Sequence, residues 1–348
     1  MEGTVHDDAL ADALAAPSAH TRWLASLEPV ALEATRAAAV ACQPWVGRGS
    51  PDGADEAATE AMRTALGQAR GPGTVVVGEG EKDDAPMLFD GERLGANEGP
   101  AFDIAVDPLE CTKLCARGLT GSLTTIAFAA RGTMASIAGA FYMDKLIGPP
   151  ATRGALDLAA PVELNLQHAG EALGKAVGEL RIVVLDKPRH KELIERLHRA
   201  GAEVSTPPDG DVAAAVAVLL PDGGADLQMG IGGTPEGIMT ACAVRALGGF
   251  MQGQLAPQGP EEAEAIAAAG LDFEHVYKLE QLAAGDGLFV ATGVTGGDLL
   301  RRPWFEADHL YTESLIIAAG SARRVLEVRR APGAQSARNG ATTQENRK

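Results

Sequence analysis

Cysteine is scarce in this 348-residue chain. Cys42, Cys111, Cys115 and Cys242 form no CxxC pair and no zinc-ligand spacing. That excludes a structural zinc module and a disulfide-rich scaffold, and reduced thiols are expected. No apolar run reaches the ~18 residues of a membrane span, so no membrane partner is expected. The phosphate-binding G-x-x-x-x-G-K-[ST] and the dinucleotide G-x-G-x-x-G are missing, and Gly230–Gly237 (GIGGTPEG) lacks the spacing of the latter. Basic charge is short as well: 30 Lys and Arg stand against 47 Asp and Glu, a net charge of −17. Without a basic footprint, nucleic acid is not an expected partner. The opening MEGTVHDDALADAL lacks the basic start and apolar run of a signal peptide, so a cytoplasmic protein is expected.

What the chain has is a globular composition, with 46% hydrophobic residues and 22% charged ones. Its length suits one large α/β domain or two lobes. Residues 1–20 read as a mobile arm and 331–348, rich in Gly, Ala, Gln, Asn and Arg, as a disordered tail. Apolar spacing predicts a helix over 21–43, started or kinked at Pro29, and a second over 55–68 with Asp55 in its first turn. There Asp55 reads equally as a helix-end carboxylate or as a metal ligand. Strands are expected at 74–77 and 102–106. Residues 122–129 and 134–142 read as a hairpin turning at Arg131–Gly132 and ending at Tyr142. Beyond a Gly/Pro-rich boundary at 145–165, strand and helix alternate, which implies a parallel or mixed sheet covered by helices. Lys187 and Arg189, Asp209 and Asp211, and Glu236 each follow a strand and precede a helix, the place where open α/β sheets carry their sites.

The organising stretch runs from Val75 to Thr112. Two short apolar runs end in carboxylates: Glu79, Glu81, Asp83 and Asp84 after the first, Asp107 and Glu110 after the second. Crowded carboxylates repel unless a cation sits among them, and oxygen ligands suit Mg²⁺ or Mn²⁺ over zinc. This predicts the metal cradle of a phosphate-handling enzyme. Bland readings stand beside it. Asp107–Thr112 (DPLECT) could be a strand end before a helix, Lys187 and Arg189 a solvated helix start, Asp209–Asp211 a plain turn, and Tyr142 a core residue. His190 and His309 read as structural.

DPLECT resembles the D-P-x-[DE]-G-T signature of the lithium-sensitive, inositol monophosphatase-like phosphatases. GEGEKDDAPML, DIAVDPLE, KPRH, PDGDVAA and GIGGTPEG, in order from about Trp45 to Arg330, more closely resemble class II fructose-1,6-bisphosphatase. The resemblance implies a layered α-β-α-β-α sandwich, the sugar phosphatase fold, with the site between a metal-binding lobe (21–160) and a sugar-phosphate lobe (161–330). It implies hydrolysis of the 1-phosphate of fructose 1,6-bisphosphate, and in some members of sedoheptulose 1,7-bisphosphate, with two or more Mg²⁺ or Mn²⁺ ions. Metal ligands fall on Asp55, Glu79, Asp107, Glu110 and Glu236. Substrate contacts fall on Glu110, Cys111, Thr112, Tyr142, Lys187, Pro188, Arg189, Asp209, Gly210, Asp211 and Gly233. Thr112, with Asp83 and Glu79, is expected to serve the attacking water. A homodimer or homotetramer is implied. The chain departs from the family pattern at Cys111, where the motif has glycine, at Lys113 and at Ser50–Asp52. Cys111 points to two rival readings, a phosphatase for another sugar or cyclitol phosphate, or a silent sugar-phosphate-binding paralogue. A Cys111–Cys115 redox pair is a further reading of these thiols.

Overall fold

The computed structural model describes residues 19–80, 87–137 and 139–330. Helix α1 (Ala19–Ser26) is followed by α2 (Glu28–Ala41), so the single helix expected over 21–43 is broken at Leu27. Pro29 lies in the first turn of α2, where its missing N–H and fixed φ favour a new start over continuation. Helix α3 (Pro51–Leu66) likewise begins at a proline. It starts earlier than the spacing predicts. Asp55 therefore lies beyond the first turn, and the helix-end reading of its carboxylate falls away.

Strands β1 (Gly73–Val77), β2 (Arg93–Leu94) and β3 (Phe102–Glu110), the short helix α4 (Thr112–Arg117) and β4 (Leu123–Ala130) come next. The expected hairpin of 122–129 with 134–142 does not form. Both edges of β4 are taken, one by β3 and one by residues 287–293 near the end of the chain. Met134 makes only an isolated bridge to Ala283. Tyr142 opens a strand of the other sheet, β5 (Tyr142–Gly148), rather than closing one.

The alternation expected beyond that point is present: α5 (Val162–Leu173), β6 (Arg181–Val183), α6 (Lys191–Ala200), β7 (Glu203–Ser205), α7 (Asp211–Leu219), β8 (Leu227–Gly233) and α8 (Thr234–Ala246). Then follow β9 (Phe250–Leu255), α9 (Pro260–Ala268), β10 (Val276–Lys278) and α10 (Leu279–Leu282). Last come β11 (Gly287–Gly293), β12 (Trp304–Glu306), β13 (His309–Ala318) and β14 (Ser321–Arg330). Among the described residues no helix is long and apolar enough to cross a membrane.

Two mixed sheets result. The eight-stranded sheet runs β12-β13-β11-β4-β3-β1-β2, with β14 also on β13, and the six-stranded sheet runs β10-β9-β5-β8-β6-β7. The last four strands return to the first sheet. Among the described residues, parallel pairing is confined to β1–β3, β6–β7 and β6–β8.

The period-2 pattern of the strands sorts side chains into three cores. Ile104, Val106, Ile126, Phe128, Leu288 and Val290 face α1–α3. The intervening Ala105, Ala127, Ala129 and Ala291 face the opposite way, toward α7 and α8. Leu146, Ile182, Leu227 and Met229 on the outer side of the second sheet meet Leu166 of α5 and Leu197 of α6. The layers are therefore α, β, α, β, α, as the family resemblance implies. Helix α8 lies between the sheets and is buried from Gly237 to Val244, so it is apolar or small all round. The alanines of the first sheet and Gly287 let it approach closely. A Cβ on Gly287 would lie 2.8 Å from Cβ of Cys242.

Candidate active site

The site begins where β3 ends. The register of β3 on β4 shifts between Asp107 and Glu110, which turns the DPLE carboxylates off the regular pleat. The Leu109 N–H donates to Asp107 Oδ1 at 3.0 Å, and the Thr112 hydroxyl donates to the Leu109 carbonyl at 2.8 Å. Between them Cys111 takes the left-handed conformation, φ 62° and ψ 46°, and caps α4. Few side chains tolerate that backbone. It is held by its carbonyl, which accepts from Ser122 Oγ at 3.0 Å and from Leu114 N–H at 2.8 Å.

Carboxylate oxygens of Asp107, Glu110 and Glu236 all lie within 4.8 Å of one another. Glu236 comes from the first turn of α8, so the second sheet's crossover delivers it to a cradle built by the first sheet. Glu79, just past β1, and Asp55, on α3, line the same cavity of about 400 Å³, as do Cys111, Thr112 and Lys113. All five expected metal ligands thus converge on one cavity. Asp83, with Glu81 and Asp84, lies outside the described residues.

The electrostatics are those of an uncompensated acidic cluster. Burial pushes Asp107 up to about 8, with Glu79 and Glu236 adding repulsion. Burial, then Asp55 and Glu236, raises Glu79 to about 8. Burial, then Glu110, raises Glu236 to about 7. Glu110 lies well above its ordinary range through burial and its neighbour Asp107. Glu236 Oε2 is buried and has no hydrogen-bond partner among the described residues. Clustered all-oxygen donors with one orphaned carboxylate oxygen fit a hard divalent cation.

A second cavity, of about 370 Å³, adjoins the first and shares Glu110, Asp209, Pro235 and Glu236 with it. Its far wall carries Tyr142, Lys187, Arg189 and Gly233. Arg189 lies 5.1 Å from the Tyr142 ring centroid and donates through Nε and Nη2 to the Ile231 carbonyl, at 3.1 and 2.8 Å. That fixes a guanidinium at the cleft wall. Lys187 Nζ lies 3.6 Å from Asp209 Oδ1, both part-exposed. Pro188 starts the turn Pro188–His190 and lines neither cavity. Gly210 also lines neither; it has φ 108° and caps α7, and it forms the wall of a neighbouring cavity.

Two of the expected substrate contacts also hold the protein's own groups in place. Asp211 lines the second cavity with its carboxylate already partnered. Its Oδ2 is ion-paired with Lys145 and its Oδ1 accepts from Gln228 Nε2. Gly233 is small chiefly for the protein's own sake, since a Cβ there would overlap the Glu236 carboxylate. Gly232 makes the same allowance for Asp211. Lys145 and Gln228 are the residues sequence reasoning missed. Their one signal was polarity inside apolar strands. The two structural histidines behave as read: His190 accepts from the Ile231 N–H at 2.7 Å through Nε2, and His309 pairs with Asp308. Cys115 does not partner Cys111. It lies in the first core with Cys42, whereas Cys111 faces the cavity.

A five-layered α/β protein that sets a carboxylate cradle against a lysine–arginine wall has the build of a metal-dependent phosphatase. The profile of the family described as "Bacterial fructose-1,6-bisphosphatase, glpX-encoded" matches residues 26–329. Fructose-1,6-bisphosphatase class 2 of Haemophilus influenzae is 40% identical over 308 residues, covering 84% of this chain and 92% of the relative. Fructose-1,6-bisphosphatase 1 class 2 of Escherichia coli K12 is 40% identical over 301 residues, covering 82% and 89%. The chain belongs to this glpX-type, class II fructose-1,6-bisphosphatase family.

Proposed function

We propose that this protein hydrolyses the 1-phosphate of fructose 1,6-bisphosphate, with sedoheptulose 1,7-bisphosphate as a second substrate. The reading is carried by one observation: the acidic cradle and the Lys187–Arg189 wall face a single cleft, as a substrate with two phosphates requires. Asp107, Glu110 and Glu236, joined by Glu79 and Asp55, would hold two or more Mg²⁺ or Mn²⁺ ions. When bound, such ions offset phosphate charge and lower the pKa of water.

The chain's own groups do the rest. Thr112 donates its hydroxyl proton in a hydrogen bond to the Leu109 carbonyl, so its lone pairs are turned to accept a hydrogen bond from, and orient, a water beside the cradle. Arg189 has two N–H groups on Ile231 and offers its remaining donors, with Lys187, to the phosphate that does not react. Asp209, at the junction of the cavities, accepts from sugar hydroxyls. Asp211, on the same wall, accepts from them too while its carboxylate is held in place. Asp83 stays a candidate to steer the water. Positioning and charge stabilisation of this kind supply most of the catalysis in phosphoryl transfer.

The protein is further read as a cytoplasmic homodimer or homotetramer and as a member of the inositol monophosphatase-like superfamily. The shared D-P-x-[DE]-x-T pattern and the layered sandwich support the superfamily placement. A second substrate reading, another sugar or cyclitol phosphate, is favoured by Cys111, whose thiol occupies cavity space where the motif has glycine.

Phosphate release from a panel of sugar and cyclitol phosphates, with Mg²⁺ or Mn²⁺ and with chelator, tests both. Chelator-sensitive turnover highest on fructose 1,6-bisphosphate supports the first reading. A different best substrate supports the second. No turnover on any of them would sink both and leave the silent binder.

A further inference from the structure

Lys145 is 1% exposed, in the middle of β5, next to the apolar Leu146 and Ile147. A lysine is seldom buried so completely without a reason. It lines neither cavity of the cleft, so it cannot touch the substrate. Its ammonium instead meets two groups that carry the cleft's two walls. One is Asp211 Oδ2, at the first residue of α7. The other is the Gly233 carbonyl, at 2.8 Å, on the residue that caps α8.

Those two helix starts bear on different parts of the site. The first turn of α8 carries Glu236 to the metal cradle. The start of α7 follows the Asp209–Gly210 turn on the sugar side, and its Val212 N–H reaches Glu110 Oε1 at 3.4 Å. Gly237 makes room for the lysine stem along α8, since a Cβ there would lie 3.2 Å from Lys145 Cδ. Gln228, on β8, holds the other oxygen of Asp211 and also donates to its backbone carbonyl at 3.2 Å.

We propose that Lys145 is a positioning residue that keeps the sugar wall and the metal cradle in register, by holding the Asp211 carboxylate and the Gly233 carbonyl at once. This rests on the phosphatase reading above. A point charge on a long stem suits the task, because an ammonium can serve two acceptors in different directions. Without it, Asp211 is a buried carboxylate facing Glu110 with Gln228 as its remaining partner, and the start of α7 must move or take up a proton.

The test is steady-state hydrolysis of fructose 1,6-bisphosphate with Mn²⁺ by the wild-type chain, Lys145→Met, Gln228→Met and the double variant, with melting temperature read in parallel. Methionine keeps the stem and removes the charge. Lys145→Met is expected to lower kcat/KM roughly 10–100-fold, chiefly through KM. Gln228→Met, which loosens the same carboxylate from the other side, is expected to shift KM in the same direction. The double variant should fall within about twofold of Lys145→Met alone, since both changes act through one group. An unchanged KM in a Lys145→Met protein of lower melting temperature would show a merely structural lysine and overturn the proposal. So would losses that simply multiply. If Lys145→Met does not fold, Gln228→Met carries the test, and an unchanged KM there overturns it. A wild-type chain without turnover sinks the substrate reading instead. The same ratios are then read as Kd for fructose 1,6-bisphosphate by calorimetry, and equal Kd values across the variants overturn the role of Lys145.

Discussion

The Glu236 carboxylate occupies the space that a side chain on Gly233 would fill, three residues earlier, at the junction of β8 and α8. The glycine and the proposed metal ligand are therefore one unit. Gly233→Ala should displace Glu236 from Asp107 and Glu110 while leaving the sheets intact. Mn²⁺ affinity is expected to fall roughly 10–100-fold, read by calorimetry, with an unchanged far-UV spectrum. Wild-type affinity in Gly233→Ala would refute the coupling.

Cys111 carries a side chain at φ 62°. Cys111→Gly removes the left-handed strain but gives the unfolded chain more freedom, for a net stabilisation of about 1 kcal/mol. A higher melting temperature is the expected result. The same variant should change relative kcat/KM among sugar phosphates, because the thiol lines the cavity. A lower melting temperature would show that the thiol's contacts outweigh the strain.

Asp107 is buried among like charges that hold it up at about 8. Asp107→Asn removes one charge from that cluster without changing its shape. In chelator, the variant should melt at or above the wild-type temperature. With Mn²⁺ the order should reverse, since the wild type gains stability by binding the ion and the variant gains little. Turnover should be lost. A variant that keeps the full Mn²⁺-induced shift would remove Asp107 from the cradle.

His190 is 2% exposed and neutral-favouring. Burial lowers its pKa below 6.5, and Arg189 adds to this, against a raising hydrogen bond to Leu185 O and the charge of Asp211. Its folded pKa is depressed, so the stability it contributes is present above 6.5 and is lost as pH falls toward the folded value. Protonation also costs Nε2 its bond from Ile231, whose carbonyl anchors Arg189. Thermal melts of wild type and His190→Gln between pH 7.5 and 5 check this, as pH values spanning the ordinary histidine range of about 6.5. The wild type should lose stability more steeply below pH 6.5. Parallel curves would rule out the histidine as the cause.

Much of the architecture was legible beforehand because local pattern and tertiary fold agree. The alternation of strand and helix after residue 180, the acidic turn at Asp107–Thr112 and the basic residues at 187–189 each show in a few adjacent letters. The hairpin at 122–142 was misread because its first strand is claimed from both sides, by β3 and by β11 more than 150 residues away. No local window contains that competition.

The sequence by itself determined the donor chemistry. Carboxylates at the ends of apolar strands, with no zinc spacing and no nucleotide loop, leave a hard cation and a phosphate as the fitting ligands. Only the tertiary structure decided which carboxylates meet and which are already spent. Glu236 joins Asp107 and Glu110 because α8 lies between two sheets. Asp211, on the wall of the cleft, is already partnered because a lysine on β5, 66 residues earlier, reaches it in the interior. Such pairings depend on distances across the core, and those are set by the packing of all the layers together.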